Sequence, residues 1–210
     1  MARILLTGFE PFGGSTINPS EQILNVLAAQ GVDGHALQTA VLPVERQRGP
    51  RTLLAAVAEG RPDVVICLGE AGRRSAVSVE QVALNLLDYR LADNRGEQVV
   101  DELISPYGPV AYFSTLPVRA IVDALLQAGI PARVSLSAGA FLCNQVFYML
   151  MEYLAEQDVA GYSPPAGFIH VPRLPAQAAA APRPGPSMGL ADQVQAVRVA
   201  IDITVESLLS

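Results

Sequence analysis

The chain has 210 residues, 50% hydrophobic and 16% charged, enough apolar material for one domain with a substantial core and a composition unlike that of a disordered chain. Lys and Arg number 14 against 20 Asp and Glu, a formal net charge of -6, with no basic cluster and 6% aromatics, so a nucleic-acid footprint is missing. Apolar runs stop at Gly, Pro or charge well short of the roughly 18 residues a spanning helix needs, which excludes a membrane segment.

MARILLTGFEPFGG lacks an apolar region of signal-peptide length, so its RILLTG (3–8) reads as the first β-strand of a cytoplasmic protein. Asn18-Pro19-Ser20-Glu21 then starts a helix, with Asn18 as N-cap and Pro19 at the first helical position, ending near Gly31. HALQTAVLPV (35–44) reads as a strand stopped by Pro43, and ERQRGPRTLLAAVAEG as a helix in which Pro50 marks the start or a break. PDVVICLGEAG (62–72) is a buried strand with a glycine exit, in which Cys67 behaves as a small hydrophobe. Residues 77–96 are extended, antiparallel or looping, because Val79, Gln81, Ala83, Asn85 and Leu87 alternate without a helical face. A helix over about 117–128 ends at Gly129, and IPARVSLSAG is the strand leading to Cys143. FLCNQVFYMLMEYLAEQ is a helix, GFIHV a strand and GLADQVQAVRVAIDITVESLL a long C-terminal helix. This alternation predicts a single three-layer α/β domain over 1–210. The Ala/Pro-dense segment 173–189 is a poor helix and reads as a mobile loop, with a gate over a site as the sharper alternative.

Amide hydrolysis by a thiol needs a thiolate, a base, a group that orients the base, and donors for the oxyanion. Cys143 opens a helix, where unpaired N–H groups and the macrodipole lower a thiol pKa, and the N–H groups of 140–143 offer an oxyanion hole. His170 ends a strand and supplies a base, while Glu80, flanked by apolar residues in SVEQVALN, supplies an inward carboxylate. The residues alone leave each of these open, since Cys143 and His170 also fit a core and Glu80 fits one polar position of an alternating strand. His35 reads as a surface residue. TGFEPFGGS spells G-x-x-x-x-G-x-S, but Gly14 stands where a phosphate-binding loop needs Lys, so nucleotide binding is discounted. Its glycines shape a loop around Phe9 and Phe12, which either wall a small slot or plug the core. The two cysteines lack a metal-ligand spacing, and no metal or organic cofactor is expected.

Four motifs in order, TGFEPFGG with NPS, GEAGRRSAVSVEQVALNLLDYRLADNRG, SAGAFLCNQVFY and GFIHVPRLPAQ, resemble the pyroglutamyl peptidase type I, or pyrrolidone-carboxylate peptidase, family from Leu5 to about Gln177. The resemblance implies a phosphorylase/hydrolase-like α/β/α fold with a mixed, twisted central sheet. It also implies a homotetrameric cysteine exopeptidase, an omega-peptidase that removes an N-terminal pyroglutamyl residue through a thioester. Cys143 would be nucleophile, His170 base and Glu80 its orienting acid. Phe9, Phe12 and Phe141 would enclose the lactam ring, with Asn18 and Arg90 as further substrate-binding residues. Two departures stand out: Gln145 where a His commonly follows CN, and Glu70 where many relatives are neutral. A charged Glu70 in the pocket would weaken lactam binding or move the pH optimum. The competing expectations are a thiol amidase for another small acyl group, and a small-molecule binding protein with an inert Cys143.

Overall fold

The computed structural model describes residues 1–183 and 185–209; Pro184, inside the segment expected to loop, and Ser210 lie outside the described residues. Strand β1 (Arg3–Phe9) is followed by α1 (Pro19–Gln30), β2 (Ala36–Leu42), α2 (Arg48–Gly60), β3 (Val64–Glu70), β4 (Val77–Glu80), β5 (Val82–Leu84) and β6 (Ala111–Phe113). The second half holds α3 (Val118–Gln127), β7 (Ala132–Ser135), α4 (Leu142–Asp158), β8 (Ala166–Val171), α5 (Pro175–Ala180) and α6 (Leu190–Ser207).

Local chemistry explains the boundaries. Asn18 caps α1, its Oδ1 accepting from the Ser20 N–H at 3.0 Å, and Gly31 ends the helix at φ 74°, a left-handed value that only glycine adopts cheaply. Helix α2 starts at Arg48, so Pro50 lies in its first turn, where no intrahelical N–H bond is required.

Six strands form one sheet in the order β2-β1-β3-β8-β4-β7, parallel except where β4 runs against β8. The sheet is therefore mixed. Strand β3 is buried at six of its seven positions, as a central strand covered on both faces must be. Ile4, Leu6, Ile66, Leu68, Val77 and Val79 pack on one face against α1, α3 and α6. Leu5, Val65, Cys67 and Phe168 pack on the other against α2 and α4.

Two elements differ from the sequence expectation. The three-residue β6 pairs only with β5, as a separate small sheet too short to leave a periodic signal. The segment expected to loop from 173 carries α5 at its start: Pro175 supplies a preset first turn, the Leu174 N–H donates to Gln177 Oε1 at 2.9 Å, and four consecutive alanines favour helix until Pro182 approaches. Among the described residues no helix is long and apolar enough to cross a membrane.

Candidate active site

Side-chain parity decides which residues meet. In β8, Phe168 packs on the α2/α4 face and Ile169 on the opposite face, so His170, two positions from Phe168, turns to the α4 side. In β4, Val77 and Val79 fill the opposite core, which sends Ser78 and Glu80 to the same side as His170. Ser78 pairs with His170 in the antiparallel register, placing Glu80 diagonally within reach. Glu80 Oε1 lies 2.8 Å from His170 Nδ1, with the carboxylate fully buried.

Helix α4 begins over this face, and Cys143 is its second residue. The facing position on β3 is Gly69, which pairs with His170. A Cβ at Gly69 would lie 2.9 Å from Cys143 Sγ, so the sulfur occupies space that any other residue would fill. Cys143 and His170 line one cavity of about 470 Å³ beyond the carboxyl ends of β3 and β8, the usual location of ligand sites in open α/β sheets. The first intrahelical bond runs from the Gln145 N–H to the Phe141 carbonyl, so the N–H groups of Leu142 and Cys143 have no helical acceptor.

Burial is the largest single influence and works to raise the Glu80 carboxyl, but the hydrogen bond and charge of His170 together with Ser135 and Arg74 outweigh it, and the group is held below its ordinary value. Glu80 is thus a carboxylate at neutral pH, and His170 Nδ1–H is the donor of the pair. The Cys143 thiol moves the other way, pushed up to about 12 by burial, with Glu80 and Glu70 adding and Arg74 opposing. The start of α4, with its unpaired N–H groups, works in the opposite direction to burial and the two carboxylates.

The remaining expected residues divide. Phe9, Phe12, Asn18 and Phe141 line one small, mostly apolar pocket with Val44, Glu70, Leu142 and Cys143. Phe12 and Phe141 lie 6.1 Å apart, and Phe141 meets Tyr89 edge-on at 4.6 Å. Asn18 has a structural task as well, because its Nδ2 donates to the Glu10 carbonyl while Oδ1 caps α1. Arg90 stands apart from this pocket, exposed on the rim of the Cys143 cavity. Glu70 does face the pocket, but Arg173 Nε at 3.3 Å and Gln177 Nε2 at 2.8 Å engage its carboxylate. Gln145 points away into structure, bonding the Tyr89 hydroxyl at 2.6 Å and the Arg46 carbonyl at 3.1 Å. His35 is half-buried, and its Nδ1 accepts from the Ala2 N–H.

Three contributors were not singled out from the sequence. Arg74 bonds Glu80 Oε1 at 2.5 Å and the Ser137 carbonyl at 3.0 Å, tying the orienting acid to the loop before α4. The sequence offers no signal that separates it from Arg73 beside it. Gln177 joins α5 to Ser15, Ile17 and Glu70, and Leu-Pro-x-Gln is a helix-start pattern that marks it. Gly69 carries no signal besides its place at a strand end. Among the described residues no group of three or more His, Cys, Asp or Glu is arranged to hold a metal ion.

Residues 2–207 match the family model described as pyroglutamyl peptidase. A pyrrolidone-carboxylate peptidase of Vibrio vulnificus strain YJ016 is 46% identical over 188 residues, covering 90% of this chain and 86% of that one. One of Gloeobacter violaceus is 45% identical over 201 residues, 96% of each chain. The solved pyrrolidone carboxyl peptidase of Thermococcus litoralis superposes with a TM-score of 0.93 at 39% identity, covering 99% of this chain and 95% of that one.

Proposed function

The chain belongs to the pyroglutamyl peptidase family, and from that premise we propose that it removes N-terminal pyroglutamate from peptides, with Cys143 as nucleophile, His170 as base and Glu80 as the acid that orients it. The observation that carries this reading is His170, bonded to buried Glu80, lining one cavity with the Cys143 thiol at the start of α4.

The acyl group enters between Phe9, Phe12 and Phe141, whose apolar walls suit a compact, uncharged lactam; the space there is only about 10 Å³, so Phe12 and Phe141 must part as the ring seats. Glu70 offers an acceptor lone pair to the ring N–H while Arg173 and Gln177 offset its charge. A proline-like ring without the carbonyl leaves polar groups unpaired, which discriminates more strongly than shape. As the Cys143 sulfur bonds to the pyroglutamyl carbonyl carbon, its proton passes to His170 Nε2, and Glu80 at Nδ1 stabilises the imidazolium. The N–H groups of Leu142 and Cys143 hold the oxyanion. Collapse breaks the C–N bond, His170 returns the proton to the departing amine, and water then hydrolyses the thioester with His170 again as base, restoring the thiol and releasing pyroglutamate.

The protein acts on pyroglutamyl peptides in the cytoplasm as a homotetramer, without a metal or organic cofactor. Residues 1–210 act as a single catalytic domain. The test is steady-state kinetics on pyroglutamyl, prolyl and glutaminyl amides with the parent and Cys143→Ser. Turnover of the pyroglutamyl amide alone, lost in the serine variant, is expected; equal rates across the panel, or near-normal turnover by Cys143→Ser, refute the reading.

A further inference from the structure

Beyond the triad and the ring pocket, the cleft has a charge balance of its own. Arg73, Arg74, Arg90 and Arg173 stand around the Cys143 cavity with Glu70 and Asp88. Arg74 is engaged by Glu80 and Arg173 by Glu70. Among the described residues Arg73 and Arg90 make no ion pair and no side-chain hydrogen bond, and both are exposed. Asp88 alone offsets them, so the mouth of the cavity is net positive in a chain whose formal charge is -6. Arg90 also lines the adjoining cleft of about 490 Å³ that runs along Gly13, Gly14 and α5.

A pyroglutamyl peptide brings no ammonium to this mouth, because its N-terminus is closed into the lactam. In a pyroglutamyl dipeptide the C-terminal carboxylate is the only ionised backbone group, and it lies one residue past the scissile amide. Once the ring is seated beside Cys143, that residue has to lie in the open part of the cavity. A guanidinium fork matches a carboxylate in two parallel hydrogen bonds.

Resting on the peptidase reading above, we propose that Arg73 and Arg90 form a leaving-group subsite for a carboxylate, so that this enzyme favours pyroglutamyl dipeptides with a free C-terminus and peptides with Asp or Glu directly after the pyroglutamyl residue. The test compares kcat/KM for pyroglutamyl-alanine, its amide, pyroglutamyl-glutamate amide, pyroglutamyl-lysine amide and a neutral pyroglutamyl anilide. The free acid and the glutamate amide should exceed the alanine amide by about three- to tenfold at low salt, carried by KM, and the lysine amide should fall below it. The gap should narrow at about 0.5 M salt. Arg73→Glu should reverse the preference while the anilide rate stays within about twofold, since a neutral leaving group does not engage an exposed ion-pair partner. A gain with only one of the two carboxylates assigns the subsite to that source. Equal kcat/KM for acid and amide, with the anilide cleaved, overturns the subsite and leaves the peptidase reading standing; so does a preference unchanged in Arg73→Glu. No turnover of the anilide removes both.

Discussion

Replacing Gly69 by alanine tests how tightly the nucleophile is seated. The new methyl carbon would lie 2.9 Å from Cys143 Sγ, 2.8 Å from Phe168 Cζ and 3.0 Å from Phe168 Cε1. Relaxed contacts between such atoms fall at about 3.5–4.0 Å, so both neighbours must retreat by roughly 0.5–1 Å. Neither has room. Cys143 is fixed in the first turn of α4 between buried Leu142 and Asn144, and the Asn144 side chain is bonded to Leu84 and Leu86. Phe168 is held against Phe9 at 6.4 Å, Phe147 at 6.2 Å and the His170 ring at 4.8 Å. The substitution therefore disturbs sulfur and base together. A misplacement of about 1 Å costs on the order of 10²-fold in rate, and overpacking a core costs about 1–3 kcal/mol. Gly69→Ala should show a cooperative urea transition at a lower midpoint and a kcat on a pyroglutamyl anilide reduced about 100-fold, with KM changed far less. A folded variant within about threefold of the parent kcat would refute the packing argument.

Two further outcomes follow from burial and charge. Iodoacetamide should modify Cys143, which lines the open cavity with His170, and spare Cys67, which is fully buried inside β3; peptide mass spectrometry that finds both labelled at one rate contradicts this. Because the folded pKa of Glu80 lies below its ordinary value of 4.5, its ionisation adds stability that is present above that value and lost as pH falls through the lower, folded one. Urea midpoints measured from about pH 5 down to about pH 3 should fall more steeply for the parent than for Glu80→Gln, and parallel slopes would sink the assignment. The same variant should lose about 10²–10⁴-fold in kcat, because the amide no longer fixes the His170 tautomer.

The elements that carry the site were legible because each has a strong local signature. RILLTG and DVVICLG are too apolar and too short for anything but buried strands, and Asn18-Pro19 announces α1. The meeting of Glu80 with His170 was not legible from the residues alone, since it depends on β4 running against β8 with Ser78 opposite His170. A register shift of one residue would send Glu80 to the other face. The four motifs supplied that pairing by resemblance, without its geometry. Arg74 was passed over because adjacent arginines in a Gly-rich turn look like a solvated pair; only the fold brings one of them to a buried carboxylate. Glu70 was readable as a charge in the pocket, but its neutralisation depends on Arg173 and on α5, a helix that begins in a stretch where prolines argued for a loop.

The opposing influences on Cys143 bear on how the site works. The helix start favours a thiolate, while burial and two neighbouring carboxylates favour the thiol. A thiolate of high basicity is the better nucleophile once formed, so the cost of forming it has to be met at the moment of attack. In the proposed mechanism the Glu80–His170 pair meets that cost: Glu80 is held below its ordinary value, so a proton taken by Nε2 would create a cation beside an anion already in place. The orphan N–H groups at the start of α4 are available for the charge that appears on the carbonyl oxygen. An N–H bond made to that oxygen forms only as the charge develops, and an interaction confined to the transition state is one that raises kcat.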